Sequence, residues 1–196
     1  MRVMSYRIEI ADYTAQWARS FEALRGVYER HLGGLIVSVE HVGSTSVEGL
    51  AAKPILDIDI VIEDAARLPA VAERLAHLGY AHRGDWGIEG REVFRAVEAN
   101  VPRELAAEQW YRHNLYVCLR GCTSLRNHLA VRAALRADAA LVAAYGALKR
   151  RLAAECGDDL AQYVERKTAF LLEILQKSGF TPDELSAIEA ANKAKK

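Results

Sequence analysis

The sequence predicts an α+β fold, a mixed β-sheet flanked by helices with a C-terminal helical segment carried over one face. Two observations predict it. Up to residue 122, apolar patterns of helical and strand period follow the order helix, strand, strand, helix, strand, strand; from Thr123 onward only helical periodicity remains. At 196 residues the chain is long enough for one full core. The expected organisation is a core over residues 1–122, a helical segment over 123–180 packed on it, and a tail over 181–196.

In order, "TAQWARSFEALRGVYERHLGG" spaces Trp17, Phe21, Leu24 and Tyr28 at threes and fours, an amphipathic helix closed by Gly33-Gly34. "LIVSVEHV" reads as a first strand and "PILDIDIVIE" as a second. "AARLPAVAERLAHLGY" predicts a second helix ending at Gly79, and "GREVFRAVE" and "HNLYVCLRG" two further strands. Before the third strand, "AHRGDWGIEG" is a glycine-punctuated loop suited to the mobile edge of a site. "SLRNHLAVRAALRADAALVAAYGALKRRLAAEC" and "DDLAQYVERKTAFLLEILQKSG" are Ala- and Leu-rich with helical period, broken at Gly157-Asp158, and "IEAANKAKK" reads as a basic tail that frays.

Charge narrows the partners. The 26 Lys and Arg balance 26 Asp and Glu, so the overall field selects neither an anionic membrane nor nucleic acid, and a small molecule is the better expectation. The N-terminal "MRVMSYRIEIADYTAQW" lacks the apolar stretch of an export signal, and no segment approaches eighteen uninterrupted apolar residues, so a cytoplasmic protein is expected, as monomer or homodimer. Three cysteines, Cys118, Cys122 and Cys156, are an odd number and argue against a disulfide framework. A zinc site on Cys118 and Cys122 would need two more ligands, with His113 and His128 near in sequence; a small buried thiol is the favoured reading of Cys118.

The chemistry concentrates in "HVGSTSVEGLAAKPILDIDIVI". Residues i and i+2 of a strand share a face, so Asp57 and Asp59 project together while Leu56, Ile58 and Ile60 point the other way. Adjacent carboxylates repel unless a cation sits between them, and oxygen ligands suit Mg2+ or Mn2+. The alternative is an edge strand with both acids in water, paired to arginines. Upstream, Gly43-Ser44 follows a strand directly, and such a turn, with Thr45 and Ser46 after it, can aim backbone N–H groups and a hydroxyl at a phosphate. Ser44 or Ser46 as a helix cap is the competing reading. Lys53 is the nearest cation able to neutralise phosphate, or else a surface lysine before Pro54. His41, at a strand end, reads as structural.

The segments "EHVGSTSVEGLAAKPILDIDIVI", "GDWGIEGREVFR", "NHLAVRAALR", "AYGALKRRLA" and "QYVERKTAFLLEIL" resemble the GrpB family, which has the nucleotidyltransferase fold, from about Glu9 to Leu175. The resemblance implies that Gly43 and Ser44 grip the phosphates of a nucleoside triphosphate and that Asp57 and Asp59 are the catalytic metal ligands for nucleotidyl transfer to a small acceptor. The family also occurs fused to dephospho-CoA kinase, but this chain has no G-x-x-x-x-G-K-[ST] loop. Where the family shows His-Leu-His-Val this chain has Asn114, Leu115, Tyr116 and Val117, and where it shows Arg-Asp this chain has Arg132-Ala133. Asn114 and Tyr116 share a strand face and still line the site.

A third carboxylate could come from Glu92 or Glu98, which otherwise make salt bridges to Arg91 or Arg95. Tyr145 with Lys149, and Tyr163 with Lys167, each share one helix face, suiting an aromatic stacked on a base and an ammonium on phosphate, or else plain amphipathic packing. Arg91, at the end of "GxxGxxGRE", lines the rim with Arg95 and His113. The departures at Asn114 and Ala133 favour a second reading, a catalytically impaired module binding a nucleotide or a coenzyme A-type ligand. A third is a partner domain that associates through its C-terminal helices.

Overall fold

The computed structural model describes residues 8–104 and 110–193. Helix α1 spans Ala15–Leu32, with the Thr14 hydroxyl accepting from the Gln16 N–H at its start and Gly33, at φ 46°, ending it. Residues Gly33–Leu35 form a further tight turn, so strand β1 begins three residues later than its apolar run, at Ser38–Val42. Strand β2 is Leu56–Ile62, helix α2 Leu68–His77, β3 Tyr80–His82, β4 Arg91–Ala96 and β5 His113–Leu119. They form one mixed sheet in the order β1-β2-β5-β4-β3, in which only the β2–β5 pair is parallel. β3, read above as helix end and loop, is a three-residue edge strand, too short to show a period of two.

One face of the sheet is apolar. Ile58, Ile60, Leu115, Val117 and Phe94 form a single buried cluster with Trp17, Leu24 and Tyr28 of α1 and Val71 and Leu75 of α2. Ile58→Ala should cost roughly 3 kcal/mol of stability, read as a lowered urea midpoint with an unchanged slope; a loss under about 0.5 kcal/mol would contradict this packing.

The other face carries Asp57 and Asp59, paired in register with Asn114 and Tyr116. Over it pack the C-terminal helices. The long helical pattern divides at Asp138, whose extended backbone ends α3 (Thr123–Ala137) while its carboxylate accepts from the Ala140 and Leu141 N–H groups to start α4 (Ala139–Cys156). Helix α5 is Leu160–Lys177. The fraying-tail reading is corrected: Pro182–Asn192 form α6, opened by a reciprocal Thr181–Glu184 capping box and packed through Leu185 and Ile188 on Leu175 and Phe180. The signal was legible in "TPDE". Residues 194–196 of that reading lie outside the described residues. No helix among the described residues is long and apolar enough to cross a membrane.

Candidate active site

The turn after β1 is shaped by one close approach. Gly43 sits at φ 68°, and a Cβ built there would lie 2.2 Å from Asp57 Oδ2, so only glycine lets the turn lie against this carboxylate. Residues Ser44–Ser46 form a single tight turn. The Ser46 hydroxyl donates to the Gly43 carbonyl at 2.7 Å, and the Arg136 guanidinium clamps the Ser46 carbonyl at 3.1 and 2.7 Å. Arg132 donates to the His41 carbonyl and to Glu40. Thr45 shares a 3.0 Å hydrogen bond with His41, whose ring stacks on Phe21 at 4.6 Å. Burial, with the Arg136 and Arg132 charges, pushes His41 down to about 4, so its ring is neutral. The Thr45 and Ser46 side chains therefore brace the turn, and the Ser44 side chain lines two cavities, one of them together with Tyr145.

Facing the turn are the carboxylates. Asn114 Nδ2 donates to Asp57 Oδ1 at 2.8 Å, and its own oxygen accepts from Arg95 at 2.8 Å. Asp59 is 0 % exposed; His128 Nδ1 donates to its Oδ2 at 2.7 Å, and Oδ1 is buried with no hydrogen-bond partner. Burial opposes charge on His128, but the Asp59 charge and hydrogen bond, helped by Asp57, raise its pKa. The sequence reading weighed His128 only as a zinc ligand, because nothing in "RNHLAV" says which strand residue α3 lies over.

The zinc grouping itself dissolves. Cys118 is buried in an apolar cluster with Val61 and Leu125, and Cys122 packs against it and accepts from the Leu125 N–H. His113, expected at the rim, lies on the opposite face of the sheet, bonded to Tyr28, Tyr80 and the Tyr111 carbonyl. No group of three or more His, Cys, Asp or Glu side chains able to share a metal ion occurs among the described residues.

The expected third carboxylate is not at the site. Glu92 pairs in register with Val117, which puts it on the other face, and it bonds His82 at 2.6 Å. Glu98 lies beyond β4 and pairs with Arg103, so neither acid uses Arg91 or Arg95. Asn114 stands beside Asp57 instead. Two carboxylates with one orphaned buried oxygen still fit Mg2+ or Mn2+, which take one or two protein carboxylates when phosphate and water complete the shell.

Lysines converge on Asp57. A cavity of about 550 Å3 is lined by Ser44, Asp57, Lys53, Lys149 and Lys167 among others, and a second of about 270 Å3 shares Ser44, Asp57 and Lys167 with it. Lys149 is only 2 % exposed, its Nζ without a hydrogen-bond partner. Burial, then the charges of Lys167 and Arg150, depress it to about 7; burial and Lys53 depress Lys167 to about 8. Lys53 is lowered in the same direction, by burial first. Tyr145 and Tyr163 are buried core rings: Lys149 lies over Tyr145, which stacks on Phe170, and Lys53 and Lys167 lie over Tyr163. The two rings thus support the ammonium groups that lie over them, and Tyr163 also lines the larger cavity. Arg91 lies over the Tyr116 ring at 4.8 Å, and both line the larger of these cavities. Ala133 is exposed on α3, so that departure from the family pattern does not touch the site. A still larger cleft, of about 1000 Å3, lies behind the turn between α1 and α3, where Arg132 and Arg136 are already engaged.

Residues 7–177, which include the Gly-Ser turn, the strand aspartates and the helices over them, match the family described as GrpB protein. The chain belongs to the GrpB family. It is 29% identical over 165 residues to the UPF0157 protein YqkA of Bacillus subtilis, covering 84% of this chain but only 45% of that one, so it spans less than half of that relative. The crystal structure of the conserved protein GrpB from Enterococcus faecalis superposes with a TM-score of 0.72 at 27% identity, covering 91% of this chain and 98% of that one. A Cid1 poly(U) polymerase structure bound to MgATP reaches a TM-score of 0.50 at 9% identity over 71% of this chain and 42% of that one, a likeness of fold alone. The GrpB fold is thus nucleotidyltransferase-like.

Proposed function

We propose that the protein is a divalent-metal-dependent nucleotidyltransferase that moves a nucleotidyl group from a nucleoside triphosphate to a small acceptor. One observation carries this reading: Lys53, Lys149 and Lys167, partly or wholly desolvated and without carboxylate partners among the described residues, converge with a Gly-Ser turn on Asp57 in a single cavity. Burying unpaired ammonium groups is costly, and a polyanion is the ligand that offsets it. The Ser44 hydroxyl and the lysines hold and orient the phosphates. The acceptor oxygen attacks the α-phosphorus, and pyrophosphate leaves with the electrons of the broken P–O bond while the acceptor proton passes to water. Mg2+ or Mn2+ held by Asp57 and Asp59 would add charge stabilisation at the phosphate oxygens. His128 and Asn114 keep the two carboxylates oriented for that role.

The test is calorimetric titration of each nucleoside triphosphate, with and without Mg2+ or Mn2+, into wild type and the Asp57→Ala/Asp59→Ala variant, followed by mass spectrometry of products. Metal-dependent binding lost in the variant is the expected result; no binding of any nucleotide would refute the reading. Asn114, which offers Asp57 an amide rather than a third carboxylate, favours the second reading of a nucleotide-binding module without chemistry, and tight binding with no product would select it.

The lysines set a pH dependence. Phosphate is held by the protonated forms, so nucleotide affinity should fall as pH rises from about 7 to 9 through the depressed values of Lys149 and Lys167. Stability of the ligand-free protein should move the other way: between the folded and unfolded values the unfolded chain binds more protons, so stability rises with pH. Lys149→Met should flatten both trends, weaken nucleotide binding roughly tenfold and raise the melting temperature of the free protein. A variant that is less stable and binds normally would mean that Lys149 is a packing residue.

A further inference from the structure

The cavity has two cationic sides. Opposite the lysines, β4 brings Arg91 and Arg95 to the sheet face that holds Asp57 and Asp59, since Arg91 registers with Cys118 and Val93 with Tyr116. Arg91 rests on the Tyr116 ring, with its Nε buried and without a hydrogen-bond partner. Arg95 donates to the neutral Asn114 amide and lies 5.0 Å from the Trp86 ring. Neither has a carboxylate partner among the described residues. Asp57 and Asp59 share this face with the guanidiniums but make no ion pair with either, so both guanidiniums remain able to take an anion that the lysines do not hold.

Trp86 adds a second observation. It is 50 % exposed at the mouth of the cavity and held at φ 52°, a backbone region that non-glycine residues seldom occupy. Its loop is tied down by Asp85, whose carboxylate accepts from the Gly87 N–H at 2.8 Å, and by paired hydrogen bonds between Val93 and the Arg83 and Gly84 backbones. A strained backbone that leaves half of a large planar ring exposed costs stability, and Arg95 is the cation that lies over it.

Resting on the nucleotidyl-transfer reading above, we propose that the acceptor is a small planar oxyanion, its phosphate or carboxylate held by Arg91 and Arg95 and its planar part stacked on Trp86. Guanidinium forks suit either oxyanion, and an indole face suits an aromatic or heteroaromatic ring. The acceptor hydroxyl then attacks the α-phosphorus from the side opposite the lysines, forming the new P–O bond as pyrophosphate departs and the hydroxyl proton goes to water.

The experiment fills the nucleotide site with Mg2+ and the α,β-methylene analogue of ATP, then titrates phenyl phosphate, benzoate and phenol calorimetrically. Phenyl phosphate or benzoate should bind and phenol should not, and the ratio of the first two tells phosphate from carboxylate. Arg91→Met should weaken the anion roughly tenfold and the surface change Trp86→Asn about fivefold, the latter with affinity for the analogue held within about threefold. Equal binding of phenol, no binding of either anion, or anion affinity unchanged in both variants overturns the proposal. So does a short oligouridylate that binds the filled protein more tightly than either small anion. If the ATP analogue itself fails to bind, the function proposed above falls, and the response of phenyl phosphate to Arg91→Met in the nucleotide-free protein then decides the arginine subsite alone.

Discussion

Asp57→Asn is expected to lower metal-dependent nucleotidyl transfer by roughly a thousandfold or more, and Asp59→Asn by a similar factor. Each substitution keeps side-chain volume and removes one negative charge at the place where the phosphates and their cation meet. At Asp59 the damage has a second source: an asparagine amide facing His128 Nδ1 can set donor against donor, or turn its oxygen there and present an amine toward the metal. In the ligand-free protein the effect of Asp57→Asn on stability should be small, because the variant loses both the repulsion from Asp59 and the attraction for Lys53, Lys149 and Lys167. Product formation and melting temperature together are therefore the measurement. Normal turnover in both variants would sink the proposed mechanism, whereas lost turnover with a collapsed melting temperature would only report misfolding.

Gly43→Ala should abolish detectable nucleotide binding and cost about 1–3 kcal/mol of stability. The added methyl meets Asp57 Oδ2 at 2.2 Å, so either the turn lifts off the strand or the Asp57 carboxylate swings away, and both separate the phosphate turn from its aspartate. Gly49→Ala is the matched control. Gly49 also has a positive φ, 76°, but a Cβ there meets nothing within 4 Å, so the difference between the two variants isolates the contact with Asp57 from the backbone strain they share. Equal losses in the two would falsify the idea that close approach to Asp57 explains this glycine.

Much of the architecture was legible because it rests on local periodicity. The threes and fours of Trp17, Phe21, Leu24 and Tyr28, and the alternation of Leu56, Ile58 and Ile60 with Asp57 and Asp59, identify which face of an element is dry without knowledge of what covers it. Two further local signals, the Asp138 cap that divides α3 from α4 and the Thr181–Glu184 box that opens α6, mark boundaries that periodicity alone does not. The edge strand β3 was too short to carry a pattern at all.

The site divides differently. Gly43, Ser44, Asp57 and Asp59 lie close together in sequence, so their spacing alone nominates a phosphate turn beside a metal-binding pair. What each distant residue does was decided only by the tertiary structure. Parallel pairing of β5 with β2 sets Asn114 against Asp57 and sends His113 to the opposite face, and the antiparallel register of β4 removes Glu92 while retaining Arg91. The pitch of α3 across the sheet delivers His128 to Asp59 and points Ala133 to solvent. Sequence by itself determined the fold class and the pair of carboxylates, because periodicity and short spacing are encoded locally. Which groups complete the site, and that Lys149 is buried and Lys53 and Lys167 half-buried around it without carboxylate partners among the described residues, follows from register and helix docking, which no local pattern records.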